Sequence, residues 1–123
     1  MTSPTQRSLK LLRDEGYFAQ VVERFNPYAR IRIDLFKFID LVAIRKDKPG
    51  VLGVQTTSGA HLAERIKKAI KFKEMEVWLK AGNTLEFHGW RKLKNLPGNR
   101  LWDCKREVFT LKDHERYLAE QKG

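Results

Sequence analysis

Residues 32–65 read RIDLFKFIDLVAIRKDKPGVLGVQTTSGAHLAER, and the pattern predicts strand, tight turn, strand and helix in succession. From Asp34 to Ile44 both alternating faces are largely apolar, as in a central strand covered on both sides. Lys46-Asp47-Lys48-Pro49-Gly50 supplies turn chemistry. Val51–Thr56 is the next strand, Ser58-Gly59 closes it, and a helix runs from Ala60 to Lys71 with Leu62, Ile66, Ala69 and Ile70 inward. Two aspartates on one strand and a Gln-Thr-Thr ending the next are unusual in such surroundings. They mark this hairpin as the place to look for chemistry.

Outward from it, Ser3 and Pro4 form a helix start, with Gln6 at the reciprocal capping position and Gly16 as the stop. Tyr17–Phe25 is rich in aromatic and β-branched residues and predicts a strand broken by Asn26-Pro27. Within it, Glu23 shares parity with Ala19 and Val21, so it either points inward or sits solvated at an edge. Tyr28–Ile33 reads as a basic connection. A short helix is expected over Glu74–Lys80, with Met75, Trp78 and Leu79 as its core face. Strands follow at Thr84–Trp90 and Leu101–Thr110, separated by a loop at Asn95–Asn99, and a charged helical tail begins at Leu111. The sum is one α+β domain over residues 1–123, a central mixed sheet flanked by helices.

Composition narrows the function. The 123 residues carry a net charge of +10, which suggests a polyanionic partner, nucleic acid before membrane. No run approaches the ~18 apolar residues of a membrane span, and the N-terminus lacks an apolar signal core, so an intracellular, cytoplasmic protein is expected. The single cysteine, Cys104, excludes an internal disulfide and a cysteine-built zinc site, and reads as a buried bystander. His61 reads as a surface residue at the helix start, and His88 as part of an exposed strand face. Trp90, Arg91 and Lys92 could together stack on and neutralise a nucleic-acid strand.

Side-chain parity then selects a constellation. With a turn over Lys46–Pro49, Arg45 faces Gly50 and Asp40 falls opposite Gln55, which brings the two Cβ atoms to ~5 Å. A carboxylate and an amide carbonyl there are hard oxygen donors suited to Mg²⁺. The bland alternative is an aspartate bonded to backbone beside a polar edge residue. Asp34, six residues along an extended strand at ~3.3 Å per residue, would lie about 20 Å from Asp40, too far to share an ion, and would instead fix Arg30 or Arg32 or a subunit contact.

Phe38-Ile39-Asp40-Leu41-Val42-Ala43-Ile44, a short turn, then Leu52-Gly53-Val54-Gln55-Thr56-Thr57 and a helix resembles the core of the PD-(D/E)XK nuclease superfamily, whose αβββαβ order matches roughly Ser3 to Trp90. The layout also resembles small phage and prophage proteins with an Arg-x-Asp-Leu-Phe-x-Phe-x-Asp strand followed by Gln-x-Thr, and a first-strand glutamate resembles that of archaeal Holliday-junction-resolvase-like members. The resemblance implies a restriction-endonuclease-like fold and Mg²⁺- or Mn²⁺-dependent hydrolysis of DNA. It places the family's aspartate on Asp40, its second ligand on Gln55 and an accessory glutamate on Glu23. The family's lysine falls on Thr57, which carries no charge. Either a basic residue of the following helix substitutes (Arg65, or Lys68 beyond it), or metal alone suffices, or the fold is catalytically decayed and only binds DNA. Arg30, Arg32, Lys37, Arg65, Lys68, Arg91 and Lys92 are the expected DNA contacts. A homodimer is expected because cutting two strands with one small site generally needs two copies.

Overall fold

The computed structural model describes residues 2–94 and 101–122; the expected loop at Asn95–Asn99 lies outside the described residues. Helix α1 (Pro4–Asp14) starts as its sequence dictates, with the Ser3 Oγ accepting the Gln6 N–H at 3.2 Å. Gly16 ends the turn after it at φ +94°, a conformation open to residues without a Cβ. Strand β1 (Phe18–Val21) follows, then β2 (Arg24–Asn26), β3 (Ile31–Ile33), β4 (Leu41–Arg45) and β5 (Lys48–Ser58). A 3-10 turn (Gly59–His61) leads into α2 (Leu62–Ala69) and α3 (Lys73–Lys80). Strands β6 (Thr84–Lys92) and β7 (Trp102–Phe109) and helix α4 (Leu111–Lys122) complete the order.

The five-stranded sheet runs β1-β4-β5-β6-β7. Its one parallel pair is β5 with β6, which needs a crossover; α2 and α3 provide it. The architecture is thus α+β with a mixed central sheet. Each face buries its own cluster. On one side α1 lays Leu9 and Leu12 over Ala19, Leu41, Ala43, Leu52 and Val54. On the other, Leu62, Met75 and Leu79 pack with Phe38, Ile39, Leu85 and Phe87. The apolar alternation of Val51–Thr56 reflects that double cover. Among the described residues no helix is long and apolar enough to cross a membrane.

Two expected strands are divided. Tyr17–Phe25 bends after Val21, where the N–H groups of Val22 and Glu23 both turn to the Asp40 carbonyl (2.9 and 3.3 Å). The chain then leaves the sheet, and the supposed connection Tyr28–Ile33 returns as β3, pairing with β2 in a separate two-stranded ribbon. The expected strand Asp34–Ile44 is extended only from Leu41. Before that, Leu35 and Ile39 exchange backbone hydrogen bonds (2.9 and 3.0 Å) across a tight loop, with Phe36 and Lys37 at φ 51° and 78°. Two positive-φ residues cost on the order of 1–3 kcal/mol each. Full burial of Phe38 and Ile39 against α2 and α3 offsets this at about 1.5–3 kcal/mol apiece. Apolar residues of both parities are buried here by a folded loop, which alternation alone reads as a strand.

The β4–β5 register vindicates part of the expected pairing. Arg45 opposes Lys48 rather than Gly50, so the turn is the two residues Lys46–Asp47. An irregularity between Ala43 and Arg45 then restores Leu41 to Val54. The ladder ends there: Asp40, one residue before β4, turns its N–H to the Val54 carbonyl at 2.9 Å, out of step with the register, and the expected Asp40–Gln55 pair is not part of the ladder.

A polar network under α1 was not foreseen. His88, expected on an exposed face, is fully buried because α1 covers β6. Its Nδ1 lies 2.8 Å from Ser8 Oγ and its Nε2 3.0 Å from Glu86 Oε1. Trp90 Nε1 donates to the same Ser8 oxygen at 2.9 Å, and Arg106 joins Glu86 to Glu15. A neutral histidine satisfies the whole chain, the indole donating to the hydroxyl, the hydroxyl to Nδ1, and Nε2–H to the carboxylate. Trp90 is thereby tied by its indole N–H to the network while its ring stays half-buried. Ser8→Ala strands two buried partners, and chemical denaturation should show a loss of about 1–3 kcal/mol.

Candidate metal and nucleic-acid site

Asp40 sits where three segments meet. Its backbone joins the end of β1 to β5, and its Oδ2 accepts the Thr56 N–H at 2.8 Å and the Thr56 hydroxyl at 3.3 Å. Thr56 is itself held from the α1 side by Thr5, hydroxyl to hydroxyl at 2.8 Å. The carboxylate is therefore aimed before any ligand arrives.

Around it the folded loop overturns the expected 20 Å separation. Asp34 and Asp40 flank the Leu35–Ile39 bridge, so the chain doubles back. One carboxylate oxygen from each of Glu23, Asp34 and Asp40 lies within 4.8 Å of the others. Of the two readings of Glu23, the inward one holds, with Arg32 its neighbour at 3.8 Å. Glu23 and Asp34 close the base of the β2–β3 ribbon, one residue outside its Arg24–Ile33 pair. The three acids share a cavity of about 340 Å³ with Thr57, Arg32 and Arg65.

A second cleft of about 440 Å³ abuts the first, having Arg32, Asp34 and Arg65 in common with it. Gln55, Lys37 and Lys68 belong to this second cleft. Gln55 is only 5% exposed, and its Oε1 has no hydrogen-bond partner among the described residues. A buried carbonyl left unpaired costs roughly 1–3 kcal/mol, so a group that accepts its lone pair would relieve that cost. Of the expected substitutes for a lysine near Thr57, Arg65 lines the acidic cavity and Lys68 only its neighbour.

The remaining expected contacts are scattered. Lys37 pairs with Glu74 at 3.1 Å. Arg30 projects from the turn of the ribbon. Arg91 pairs with Asp103 at 3.4 Å, and it and Lys92 lie at the end of β6, lining neither cleft. His61 is exposed as expected, its Nδ1 2.7 Å from Ser58 Oγ, and Ser58 borders the acidic cavity. Cys104 is half-buried, and burial pushes its thiol up to about 12, which leaves it protonated and unreactive. Compared with known proteins, the chain matches no family model, no curated protein and no solved structure.

Electrostatics follow from the crowding. Burial, and then the neighbouring Asp34 carboxyl, push the Asp40 carboxyl up to about 8, against the opposing pull of the Thr56 N–H. Unfolded, the group titrates near 3.8. Between these values the folded protein holds a proton that the unfolded chain releases, so stability is full below the lower value and is lost as pH rises through about 8. In chelator, the melting temperature should fall as pH is raised over that window, and Asp40→Asn should flatten the fall. Mn²⁺ should raise the melting temperature more at the alkaline end than at the acid end, since it competes with the proton. Equal slopes for wild type and Asp40→Asn in thermal melts would contradict the assignment.

Proposed function

We propose that this chain is a metal-dependent endonuclease of PD-(D/E)XK type that hydrolyses DNA phosphodiester bonds inside the cell. The convergence of Glu23, Asp34 and Asp40 within 4.8 Å carries the reading, and Gln55, whose buried Oε1 has no hydrogen-bond partner among the described residues and which lines the adjoining cleft with Asp34, supports it independently. Three carboxylates in a half-buried cavity repel one another unless a cation neutralises them. The donor set is all oxygen, which suits Mg²⁺ or Mn²⁺. Asp40, Asp34 and Glu23 would hold the ion, with Gln55 as the nearby carbonyl donor. Such an ion, when bound, polarises a phosphate and acidifies water.

The protein's own groups supply the rest. Asp40 is locked by Thr56 and cannot swing away from the cavity. Arg32 and Arg65 stand on the cavity wall, where a guanidinium meets phosphate oxygens in bidentate fashion. Arg65 is the cation that stands in for the lysine absent at Thr57. Lys37 and Lys68 extend the positive surface along the adjoining cleft, suited to the flanking phosphates. Homodimerisation belongs to this reading, one copy per strand cut.

Thr57 favours a second reading, a decayed nuclease core that binds DNA without cutting it. Incubation of supercoiled, linear and branched DNA with Mg²⁺ or Mn²⁺ separates the two. Cleavage that drops on the order of 100-fold or more in Asp40→Asn, and about 100-fold in Arg65→Ala, is the expected result. Salt-sensitive binding with no cleavage and no calorimetric Mn²⁺ binding would establish the second reading instead.

A further inference from the structure

The β2–β3 ribbon stands apart from the main sheet and, among the described residues, pairs with no other strand. Its ten residues, RFNPYARIRI over 24–33, include three arginines and no acid. It also exposes apolar bulk that a water-facing hairpin would not need, with Tyr28 97%, Phe25 60% and Ile31 53% accessible. The turn is rigid by construction. Asn26 Oδ1 accepts the N–H of Tyr28 at 3.0 Å and of Ala29 at 3.3 Å, and Arg30 closes it at φ 54°. A backbone held in this way loses little further freedom on binding, and the exposed side chains are what remains to be ordered.

We propose that this ribbon is a DNA-gripping arm that enters the major groove of a duplex and sets the backbone against the acidic cavity. The inference rests on the nuclease reading for its partner. Three-residue strands at ~3.3 Å per residue make an arm of about 10 Å, comparable with the ~8.5 Å depth of a B-form major groove that admits a two-stranded ribbon. The alternative occupant of an exposed apolar hairpin, a second copy of the same hairpin, would bring six arginines together, and among the described residues only Arg32 of each copy has an acidic partner, Glu23 at 3.8 Å. Phosphates on both groove walls supply the missing counter-charge. A-form RNA, whose major groove is deep and narrow, does not fit the same arm.

Position gives the arm its consequence. Glu23 and Asp34 are the residues at its base, and Arg32 on β3 lines both clefts. A duplex seated on the ribbon therefore lies next to two of the three carboxylates. The arm orients substrate, and the cavity acts on it.

Binding measured by anisotropy of a labelled DNA duplex in chelator, where no cleavage occurs, tests this. Replacing Arg24 and Arg30 together by Gln should weaken duplex binding about tenfold and reduce the salt-dependence slope by about 2, since each phosphate contact contributes ~0.9. Replacing Phe25 and Tyr28 together by Ala should weaken binding while leaving the slope unchanged. Lys46→Gln with Lys48→Gln, at the β4–β5 turn, removes the same charge elsewhere and should leave affinity near wild type. All these side chains are exposed, and matching melting temperatures confirm that folding is intact. Wild-type affinity in both arm variants, or tighter binding of single-stranded DNA or duplex RNA than of duplex DNA, overturns the arm. If wild type still cleaves DNA in Mg²⁺ in that case, the nuclease reading stands without the arm. A wild type that binds no nucleic acid overturns both.

Discussion

The structure depends on the way Asp40 is wired into its neighbours. Its carbonyl accepts two N–H groups from the end of β1, its N–H donates to β5, and its carboxylate takes both donors of Thr56. One residue thereby fixes where β1 ends, where the β2–β3 ribbon departs and how β4 registers on β5. Five hydrogen bonds on a residue that is 5% exposed leave almost no positional freedom. The same residue carries the carboxylate around which the proposed chemistry is arranged, so stability of the junction and geometry of the site cannot be varied separately.

That junction concentrates opposing costs. The loop before Asp40 holds two non-glycine residues at positive φ, and the cavity gathers three acids, two half-buried and one buried. Neither is what a chain selected for stability alone would keep. The apolar cores on both sides, with Phe38 and Ile39 anchoring the loop, make such an arrangement sustainable. Arg32, 3.8 Å from Glu23, lowers its electrostatic cost without filling the cavity. An acidic cavity walled by arginines is the arrangement that the proposed cation and phosphate would require.

Much of the fold was legible because its signals are local. Ser3-Pro4 opens α1, Gly16 ends it, apolar spacing marks α2 and α3, and the alternation of Thr84–Trp90 becomes β6. The hairpin register was recoverable too as far as Leu41 and Val54, since a bulge corrects the turn, whereas Asp40 leaves the ladder and does not pair with Gln55. The site was legible only in part. Asp40, Glu23 and Arg65 were singled out, whereas Asp34 was set aside on the assumption of an extended strand. Lys-rich and Arg-rich positions at the end of β6 looked equivalent to those of the clefts, because charge alone does not say which residues share a wall. His88 looked exposed because the helix covering it lies 80 residues earlier, and a serine at position 8 gives no sign of its partner.

By itself, the sequence determined the elements, the α+β class, the basic surface and the polar ends of the central hairpin, because each follows from contacts within a few residues. The tertiary structure decided what Asp34 does. Whether six residues span 20 Å or fold back on themselves depends on helices α2 and α3, which bury Phe38 and Ile39 from more than twenty residues away. The opening stretch thus holds two carboxylates for one cavity, and long-range burial, not local pattern, brings them together.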